Sequence, residues 1–469
     1  MPFFVDKMLF MVLNITILCT GGFLMKRFVS IISLVLALSL MMSITASAEP
    51  GFAYKEEDLT AFAPKWSSIQ ADETVISLTP GGEIGEMRFA WLSKESDTNV
   101  SFRISENSDM SGCSEVAVVT SDAISDYSSN QVTITGLEEG KTYYYSYTEN
   151  GAWSKAEAFT VQPDDEFTVL YVSDAQIGRS GDENLEEILI RDTCGWHYTV
   201  NKMLTKYPNA AFAISGGDQF QSPDSITQMK AYLSPEKLRS LPVANTIGNH
   251  DSDSSLYGEI FNNPNEVFEL LPSEAGTGYY YTYGDVLFIT INSNNTFLPD
   301  TARVLRKAVK AYPDAKWRVV TMHHNPYSAS LSDKDYSEER VLFSSLYDCY
   351  DIDLVLSGHD HLYSRTEVMH GGKTTDGEGT VYVQSSSASG SNYDPLPDET
   401  ASFIVSSFDV RVPTYTALTF TENAIIGTTY RTDTDEIIDS FNVADNETNS
   451  SVNIFSVIIS IFKTLFSMI

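Results

Sequence analysis

The 469-residue sequence predicts a small all-β sandwich followed by a larger α/β domain. Between residues 73 and 161, short β-rich runs alternate with turns and show no helical period, which is typical of a sandwich. Between residues 165 and 432, strand-like runs alternate with amphipathic stretches, which is typical of a layered α/β domain. With 42% hydrophobic and 20% charged residues, most of the chain should be globular.

The N-terminal residues 1–48 are predicted to be an export signal. A positive Met25-Lys26-Arg27 stretch precedes an apolar run over residues 28–42, and Ala46-Ser47-Ala48 then matches an A-x-A cleavage site. We therefore expect translation to start at Met25 and the mature chain to start at Glu49. The alternative is an uncleaved two-helix anchor, because residues 8–18 are also apolar. Residues 49–68 are interpreted as a lead-in segment.

Residues 69–163 are predicted to form the sandwich, with strands near residues 86–92, 99–104 and 131–135. The Leu137-x-x-Gly140-x-x-Tyr143 turn resembles that of fibronectin type III domains, in which a strand with a packed aromatic residue follows. Another small β-sandwich is the alternative.

Residues 164–432 are predicted to form the α/β domain. Its strands are expected near residues 167–173, 210–215, 242–247, 286–291, 318–322 and 353–356, and its covering helices near residues 183–200 and 301–311. Short strands near residues 381–384, 402–410 and 414–421 could close a second sheet.

The C-terminal part divides into two predicted segments. Residues 433–451 are acidic and rich in Asn and Ser, so they are interpreted as a linker. Residues 452–469 carry a polar stripe at helical spacing beside a wide apolar face, which predicts an amphipathic helix. Such a helix could lie at a membrane surface, or it could dock on its own domain or on a second copy.

The charge and the cysteines exclude some classes of protein. A formal net charge of −33 repels phosphate backbones, so a duplex nucleic-acid partner is not expected. A phosphorylated small molecule remains compatible, because bound metal ions dominate the local field. Cys19, Cys113, Cys194 and Cys349 have no C-x-x-C spacing, so neither a disulfide framework nor a zinc knuckle is indicated.

Five loops that follow predicted strands carry metal-ligand residue types. The loops contain five of the seven histidines, and the candidate ligands are Asp174, Gln176, Asp218, Asn249, His323, His359 and His361. Because sites in open α/β sheets form at the carboxyl ends of strands, we expect these side chains to meet. Two neighbouring cations need a shared ligand, and the carboxylate of Asp218, after two glycines, suits that position.

This ordered set resembles the signature of the calcineurin-like metallophosphoesterases, and the preceding sandwich resembles the purple acid phosphatase branch. The resemblance implies a four-layer αββα catalytic domain with a dinuclear centre. It implies that Asp174, Asp218 and His361 bind one ion and that Asp218, Asn249, His323 and His359 bind the other. His250 would stabilise or protonate the substrate and Asp251 would orient His250. Asn249, His250 and His324 would contact the substrate.

Two residues depart from the purple acid phosphatase pattern. Gln221 replaces the tyrosine that colours a ferric centre, so we expect a colourless enzyme. Gln176 replaces a histidine of many relatives and could bind an ion or only a metal-bound water. An amide oxygen is a harder ligand than imidazole, which favours manganese, magnesium or iron over zinc at that position, and the candidate ions are iron, manganese or zinc.

The remaining candidates have simpler interpretations. His197 and His370 are interpreted as ordinary surface or core histidines and Asp360 as structural, whereas Tyr327 could line the pocket or only pack. The predicted function is hydrolysis of phosphate esters outside the cytoplasm, most simply of monoesters, by a secreted or membrane-associated enzyme. The alternatives are a nucleotide or cyclic-nucleotide phosphodiesterase, and a cell-surface binding or adhesion protein with an inactive catalytic domain.

Overall fold

The computed structural model describes residues 51–444 except 74, 98, 150, 182–184, 331–337 and 410. The predicted export signal and the predicted C-terminal helix lie outside these residues. Within the described part, no helix combines the length and the apolar character needed to cross a membrane.

Two short helices precede the sandwich, and nine strands form it. Helix α1 spans Glu56–Phe62 and α2 spans Trp66–Ala71, with a 3₁₀ turn at Ala63–Lys65 between them. The sandwich strands are β1 Ile76–Pro80, β2 Met87–Lys94, β3 Phe102–Ser105, β4 Ser114–Val116, β5 Val119–Asp122, β6 Tyr127–Ile134, β7 Thr142–Glu149, β8 Ala152–Trp153 and β9 Glu157–Thr160.

The second domain alternates strands and helices. Its helices are α3 Glu186–Lys206, α4 Ile226–Leu233, α5 Leu256–Ile260, α6 Leu298–Ala311 and α7 Glu338–Cys349, with a 3₁₀ turn at Glu236–Arg239. Its strands are β10 Phe167–Val172, β11 Phe212–Ser215, β12 Val243–Asn245, β13 Tyr279–Tyr283, β14 Val286–Thr290, β15 Trp317–Thr321, β16 Leu354–Ser357, β17 Tyr363–Thr366, β18 Met369–His370, β19 Lys373–Thr374, β20 Val381–Gln384, β21 Ile404–Phe408, β22 Thr414–Phe420, β23 Ala424–Arg431 and β24 Ile437–Ala444.

The predicted all-β N-terminal domain is confirmed. One sheet has the strand order β1-β2-β6-β5, and the facing sheet has the order β4-β3-β7-β8, with β9 also paired to β7. Alternate aromatic residues of β2 and β7 face inward, and Phe89, Phe102 and Tyr145 are fully buried between the sheets. The backbone N–H of Glu138 donates to the Tyr143 hydroxyl at 2.9 Å, so the Leu-x-x-Gly-x-x-Tyr turn is closed by its tyrosine.

The predicted four-layer αββα domain is confirmed. A six-stranded sheet has the order β12-β11-β10-β22-β23-β24, and a seven-stranded sheet has the order β13-β14-β15-β16-β20-β17-β21. Alternate side chains of strand β10 pack on opposite faces of the first sheet. Val169 and Tyr171 face the second sheet, whereas Leu170 and Val172 face the helices. Helices α3 and α4 cover the first sheet, and α6 and α7 cover the second.

The late strands divide between the two sheets. Strands β20 and β21 join the second sheet as expected, but β22 pairs with β10 in the first sheet. The predicted lead-in segment contains α1 and the start of α2, and Phe62 and Trp66 pack in the same core as α3 and α4.

The prediction that residues 433–451 form a linker is wrong for its first half. Strand β24 pairs with β23 along the edge of the first sheet. Its inward residues Phe441 and Val443 are buried, and the Phe441 ring lies against Gly427, where a Cβ atom would come within 2.1 Å of the ring. The acidic composition obscured this alternation, because the polar residues of β24 occupy its outer face or pair with the second sheet.

Asp439 joins the edge strand β24 of the first sheet to β17 of the second sheet. Arg365 of β17 donates to both of its carboxylate oxygens, from Nε at 2.6 Å and from Nη2 at 3.1 Å, and the Tyr363 hydroxyl donates at 2.7 Å. Burial alone would raise the pKa of Asp439, but the hydrogen bonds from Arg365 and Tyr363 hold it below its usual value.

We predict that Asp439→Asn lowers the unfolding free energy by about 2 kcal/mol, the typical value of hydrogen bonds to a charged group. Because the folded pKa is lowered, this stabilisation is present above the unfolded aspartate pKa of about 3.9 and is lost as the pH falls through the folded value. Urea unfolding at pH 7 and at pH 3 measures both effects. The control is Asp433→Asn, whose pair with Arg431 at 2.8 Å lies within one turn. An equal loss in both variants would contradict the bridging role.

Candidate metal centre

The candidate ligands meet at one edge of the double sheet. They follow β10, β11 and β12 of the first sheet and β15 and β16 of the second, all at the carboxyl ends of parallel strands. The predicted convergence of the five loops is therefore present in the structure.

Five of the donor residues have a backbone conformation that is unusual for side chains other than glycine. Asp174, Gln176, Asp218, His359 and His361 have φ values of 53°, 37°, 52°, 81° and 53°. Such left-handed positions carry a conformational cost and gather at functional sites, where the surrounding structure holds them.

One group of donors surrounds the Asn249 side chain. Asn249 Oδ1 lies 3.0 Å from His323 Nε2 and 2.9 Å from His359 Nδ1, and the two ring nitrogens are 3.3 Å apart. His323 Nε2 also lies 3.4 Å from Asp218 Oδ2. These are the four residues that the sequence assigned to one ion.

A second group lies on the other side of Asp218. His361 Nε2 lies 3.2 Å from Asp174 Oδ1, and Gln176 Nε2 lies 3.4 Å from Asp218 Oδ2. The residues assigned to the other ion therefore also lie together, and Asp218 contacts both groups. Oxygen and nitrogen atoms of Asp174, Asp218 and His323 lie within 4.8 Å of one another, a spacing that suits a shared cation.

The donor set matches metal ions in chemistry and in shape. Mixed carboxylate, imidazole and amide donors suit zinc, iron and manganese. The Oε1 atom of Gln176 is buried without a hydrogen-bond partner, which is unusual for an acceptor unless an ion or water completes it. Gly248 and Gly358 make room for the carboxylates, because a Cβ atom would lie 2.0 Å from Asp218 Oδ1 or 2.2 Å from Asp174 Oδ2.

Asp218 and His323 shift each other's pKa in opposite directions. Burial alone would raise the pKa of Asp218, but the charge of His323 and its hydrogen bond hold it below its usual range. Burial alone would lower the pKa of His323, yet the Asp218 carboxylate holds it above its usual range. His323 Nε2 and Asp218 Oδ2 thus face each other at 3.4 Å with opposite charge preferences, an arrangement in which a divalent cation would bind both.

The predicted role of Asp251 is wrong. Its carboxylate does not hold the His250 ring; it accepts from the backbone N–H groups of Asp218 at 2.9 Å, Gln219 at 3.1 Å and Gly248 at 2.8 Å. All three donors belong to the turns around Asp218, so Asp251 fixes the backbone of the metal centre. The His250 ring is held instead by its Nδ1, 3.0 Å from the Gln221 carbonyl oxygen.

The other sequence-predicted residues fall into place around the centre. His324 lies beside it, with its ring centroid 4.5 Å from that of His359 and its Nδ1 2.9 Å from Ser293 Oγ. Tyr327 is buried against Tyr382 and Phe403, so packing is its role. His197 packs against Phe62, and His370 is exposed near Asp348, both away from the donors.

Sequence reasoning missed the groups that hold the donors. The Asn392 side chain lies 2.6 Å from His361 Nδ1, the Ser387 hydroxyl donates to the Asp174 carbonyl at 2.9 Å, and Asn294 donates to the carbonyl of Gly248 at 3.1 Å. Asn392 and Ser387 belong to the serine-rich segment, residues 385–393, which follows β20. The segment follows the strand predicted near residues 381–384, and this position could have indicated that it lies near the donors.

Comparisons with known proteins agree with this architecture. Residues 167–363 match the calcineurin-like phosphoesterase family, and residues 74–161 match the purple acid phosphatase N-terminal domain. The solved structure of purple acid phosphatase PPD1 from yellow lupin (Lupinus luteus) seeds is 15% identical, with a TM-score of 0.63 over 82% of this chain and 75% of that chain. GAP50, the anchor in the inner membrane complex of Plasmodium, is 15% identical, with a TM-score of 0.44 over 63% of this chain and 95% of that chain. No curated protein matches significantly.

The four-layer fold with its carboxylate and imidazole donors defines a metal-dependent phosphoesterase. Residues 167–363 form a calcineurin-like phosphoesterase domain, and residues 74–161 form a purple acid phosphatase N-terminal domain. The chain therefore has the purple acid phosphatase arrangement, in which the catalytic domain follows the N-terminal β-sandwich. The family implies a dinuclear metal centre.

We predict that Gly248→Ala lowers metal affinity at least about tenfold, as displaced supporting groups typically do, although no donor is removed. The added Cβ would overlap Asp218 Oδ1 and displace the carboxylate. Bound metal per chain, measured after equilibrium dialysis against Mn²⁺, checks this. Gly377→Ala is the control, since its Cβ would meet its first neighbour only at 3.7 Å. Wild-type occupancy in Gly248→Ala would contradict the close approach.

Proposed function

We propose that this chain hydrolyses phosphate monoesters outside the cytoplasm with a dinuclear metal centre. The observation that carries the proposal is the division of the donors into two groups that share Asp218. A complete donor set also argues against a binding or adhesion protein with a retired catalytic domain.

Each group is proposed to hold one ion. Asp174, Gln176, Asp218 and His361 would hold the first, and Asp218, Asn249, His323 and His359 the second. When bound, such ions lower the pKa of a coordinated water and neutralise phosphoryl oxygens during in-line attack. The first group has a single imidazole and an amide, which favours a harder ion such as manganese or iron. With glutamine at position 221, no tyrosinate is available to colour it.

The charge of the centre favours monoesters over diesters. Two ligand carboxylates beside two divalent ions leave a net charge of about +2, which matches the dianion of a phosphate monoester. A diester, including a cyclic nucleotide, carries one negative charge at the phosphate. Because the charge of the centre matches a monoester better than a diester, we regard phosphodiesterase activity as the second alternative.

His250 is proposed to protonate the leaving group. Its backbone N–H donates to Asp218 Oδ1 at 2.9 Å, which places the residue at the rim of the centre. Its Nδ1 donates to the Gln221 carbonyl, so the ring orientation is fixed and Nε2 remains available for proton exchange with substrate. His324 has a comparable anchor at Ser293 Oγ, and we propose that it also contacts the substrate.

The test is hydrolysis of p-nitrophenyl phosphate and bis-p-nitrophenyl phosphate by the metal-loaded chain. Asp218→Ala should abolish both activities and lose bound metal, because both groups lose a donor. His250→Ala should keep its metal and lose about 10²-fold or more in kcat on an alkyl phosphate, whose poor leaving group needs a proton, and less on the nitrophenyl ester. His370→Ala is the matched histidine control.

Two results would contradict the proposal. Wild-type activity in Asp218→Ala would exclude this centre as the site of hydrolysis. A higher kcat/KM for the diester than for the monoester would instead favour the phosphodiesterase.

The extracytoplasmic location rests on residues 1–48 and 452–469. We predict that the exported chain begins at Glu49 and sediments with membranes, and that removal of residues 452–469 releases it, because the apolar face of the tail is then lost. N-terminal sequencing and fractionation of cells expressing both forms check this. Unchanged partitioning of the shortened chain would rule out the tail as an anchor.

A further inference from the structure

The serine-rich segment holds the metal centre from outside the stretch that matches the phosphoesterase family. The match ends at residue 363, whereas this segment comprises residues 385–393. It is almost completely buried, with Ser387, Ala388 and Ser389 fully inaccessible to solvent. Its core lies between the end of β10 and helix α3, because the Ala388 backbone N–H donates to the Ser173 carbonyl at 2.8 Å and Thr199 Oγ1 donates to the Ala388 carbonyl at 2.6 Å.

The end of the segment carries Asn392 to the side of His361 that faces away from Asp174. Asn392 is 6% exposed, and its Nδ2 lies 2.6 Å from His361 Nδ1. The preceding turn is fixed, since the Ser391 N–H donates to Ser389 Oγ at 3.2 Å and the Gly390 N–H donates to Ser387 Oγ at 3.2 Å. The asparagine is therefore positioned rather than loosely placed.

The imidazoles of the centre show what a ligand histidine requires. His323 directs Nε2 at the donors and places Nδ1 3.0 Å from the Gly216 carbonyl oxygen, so a backbone acceptor fixes its tautomer. Ligand histidines generally donate their second N–H to such an acceptor, which orients the ring. His361 also directs Nε2 at the donors, at 3.2 Å from Asp174, but the group beside its Nδ1 is a side-chain amide.

We propose that Asn392 is the positioning residue of the first ion, acting through His361. The Asn392 amide lies at His361 Nδ1 and holds the ring with Nε2 directed at Asp174. With an ion at Nε2, the ring would carry its hydrogen on Nδ1, and the amide would present Oδ1 as the acceptor after turning about its terminal bond. An amide is suited to this position because one end donates and the other accepts within the same shape.

This inference rests on the proposed two-ion centre and is tested by metal binding alone. Mn²⁺ is titrated calorimetrically into the metal-free full-length chain, and His361→Ala identifies the binding event of the first ion. Asn392→Leu and Asn392→Ala should weaken that event about 10–100-fold, the usual effect of losing the partner of a ligand histidine, and leave the other event unchanged. Thermal unfolding without metal checks that the variants fold.

Two further variants separate positioning from packing. Asn392→Asp keeps an oxygen acceptor at Nδ1 and should retain both wild-type affinities or tighten the first. Ser391→Ala alters the same buried turn, and its hydroxyl contacts Ser387 at 3.4 Å rather than a donor, so both events should persist.

Several outcomes would overturn the role of Asn392. They are wild-type affinities in Asn392→Leu and Asn392→Ala, an equal weakening of both events, or a loss in Asn392→Asp as large as in Asn392→Leu. Two-ion binding without phosphatase activity would contradict the proposed function and leave the positioning role supported. A wild-type chain that binds no Mn²⁺ would overturn both.

Discussion

The metal centre is organised around the carboxylate of Asp218, whose position depends on backbone hydrogen bonds. Asp251 accepts from the N–H groups of Asp218 and Gln219 on one turn and of Gly248 on the next. This buried carboxylate ties the loops after β11 and β12 together and holds Asp218 at a positive φ of 52°. Asp218 then reaches both donor groups, so displacement of this one turn would separate the two halves of the centre. The burial of Asp251, together with the negative charge of Asp218, raises the pKa of Asp251.

The centre also depends on the packing of one sheet against the other. Asp174, Asp218 and Asn249 follow strands of the first sheet, whereas His323, His359 and His361 follow strands of the second. Their relative positions are set by the aromatic core between the sheets, in which Phe212 packs edge-on against Phe288 at 5.2 Å. The serine-rich segment reinforces this at the edge itself, because it leaves β20 of the second sheet and pairs at Ser387 with Ser173 of the first. Donor spacing is thus a property of the whole domain, and a variant in the inter-sheet core can alter metal binding without touching a ligand.

Most of the fold, and the meeting of the candidate donors at one edge of the sheets, could be predicted from the sequence because both depend on local patterns. Strand alternation gives the faces of β10, and the ends of strands are where ligand residue types stand out from an otherwise apolar background. Three features could not be predicted from the sequence, each for a physical reason. The polar residues of β24 and the acidic segment around it obscured its alternation, and only Phe441 and Val443 show its buried face. Asp251 is adjacent to His250 in sequence, yet its carboxylate turns toward N–H groups of another loop. Asn392 meets His361 across 31 positions of sequence, a contact that no periodicity reports.

Because the chain is acidic, bound metal ions would attract the substrate as well as activate it. With a formal net charge of −33, the surface as a whole repels a phosphorylated substrate. The contacts that hold the donors come from neutral groups such as those of Asn294, Ser293 and Gly216 and from the carboxylate of Asp251, and none of these adds positive charge. Attraction of the phosphate therefore depends on the metal ions. Substrate binding and substrate activation both require that the ions occupy the centre. In such a centre, a residue that sets the affinity of one ion, as proposed for Asn392, acts on substrate binding and on catalysis together.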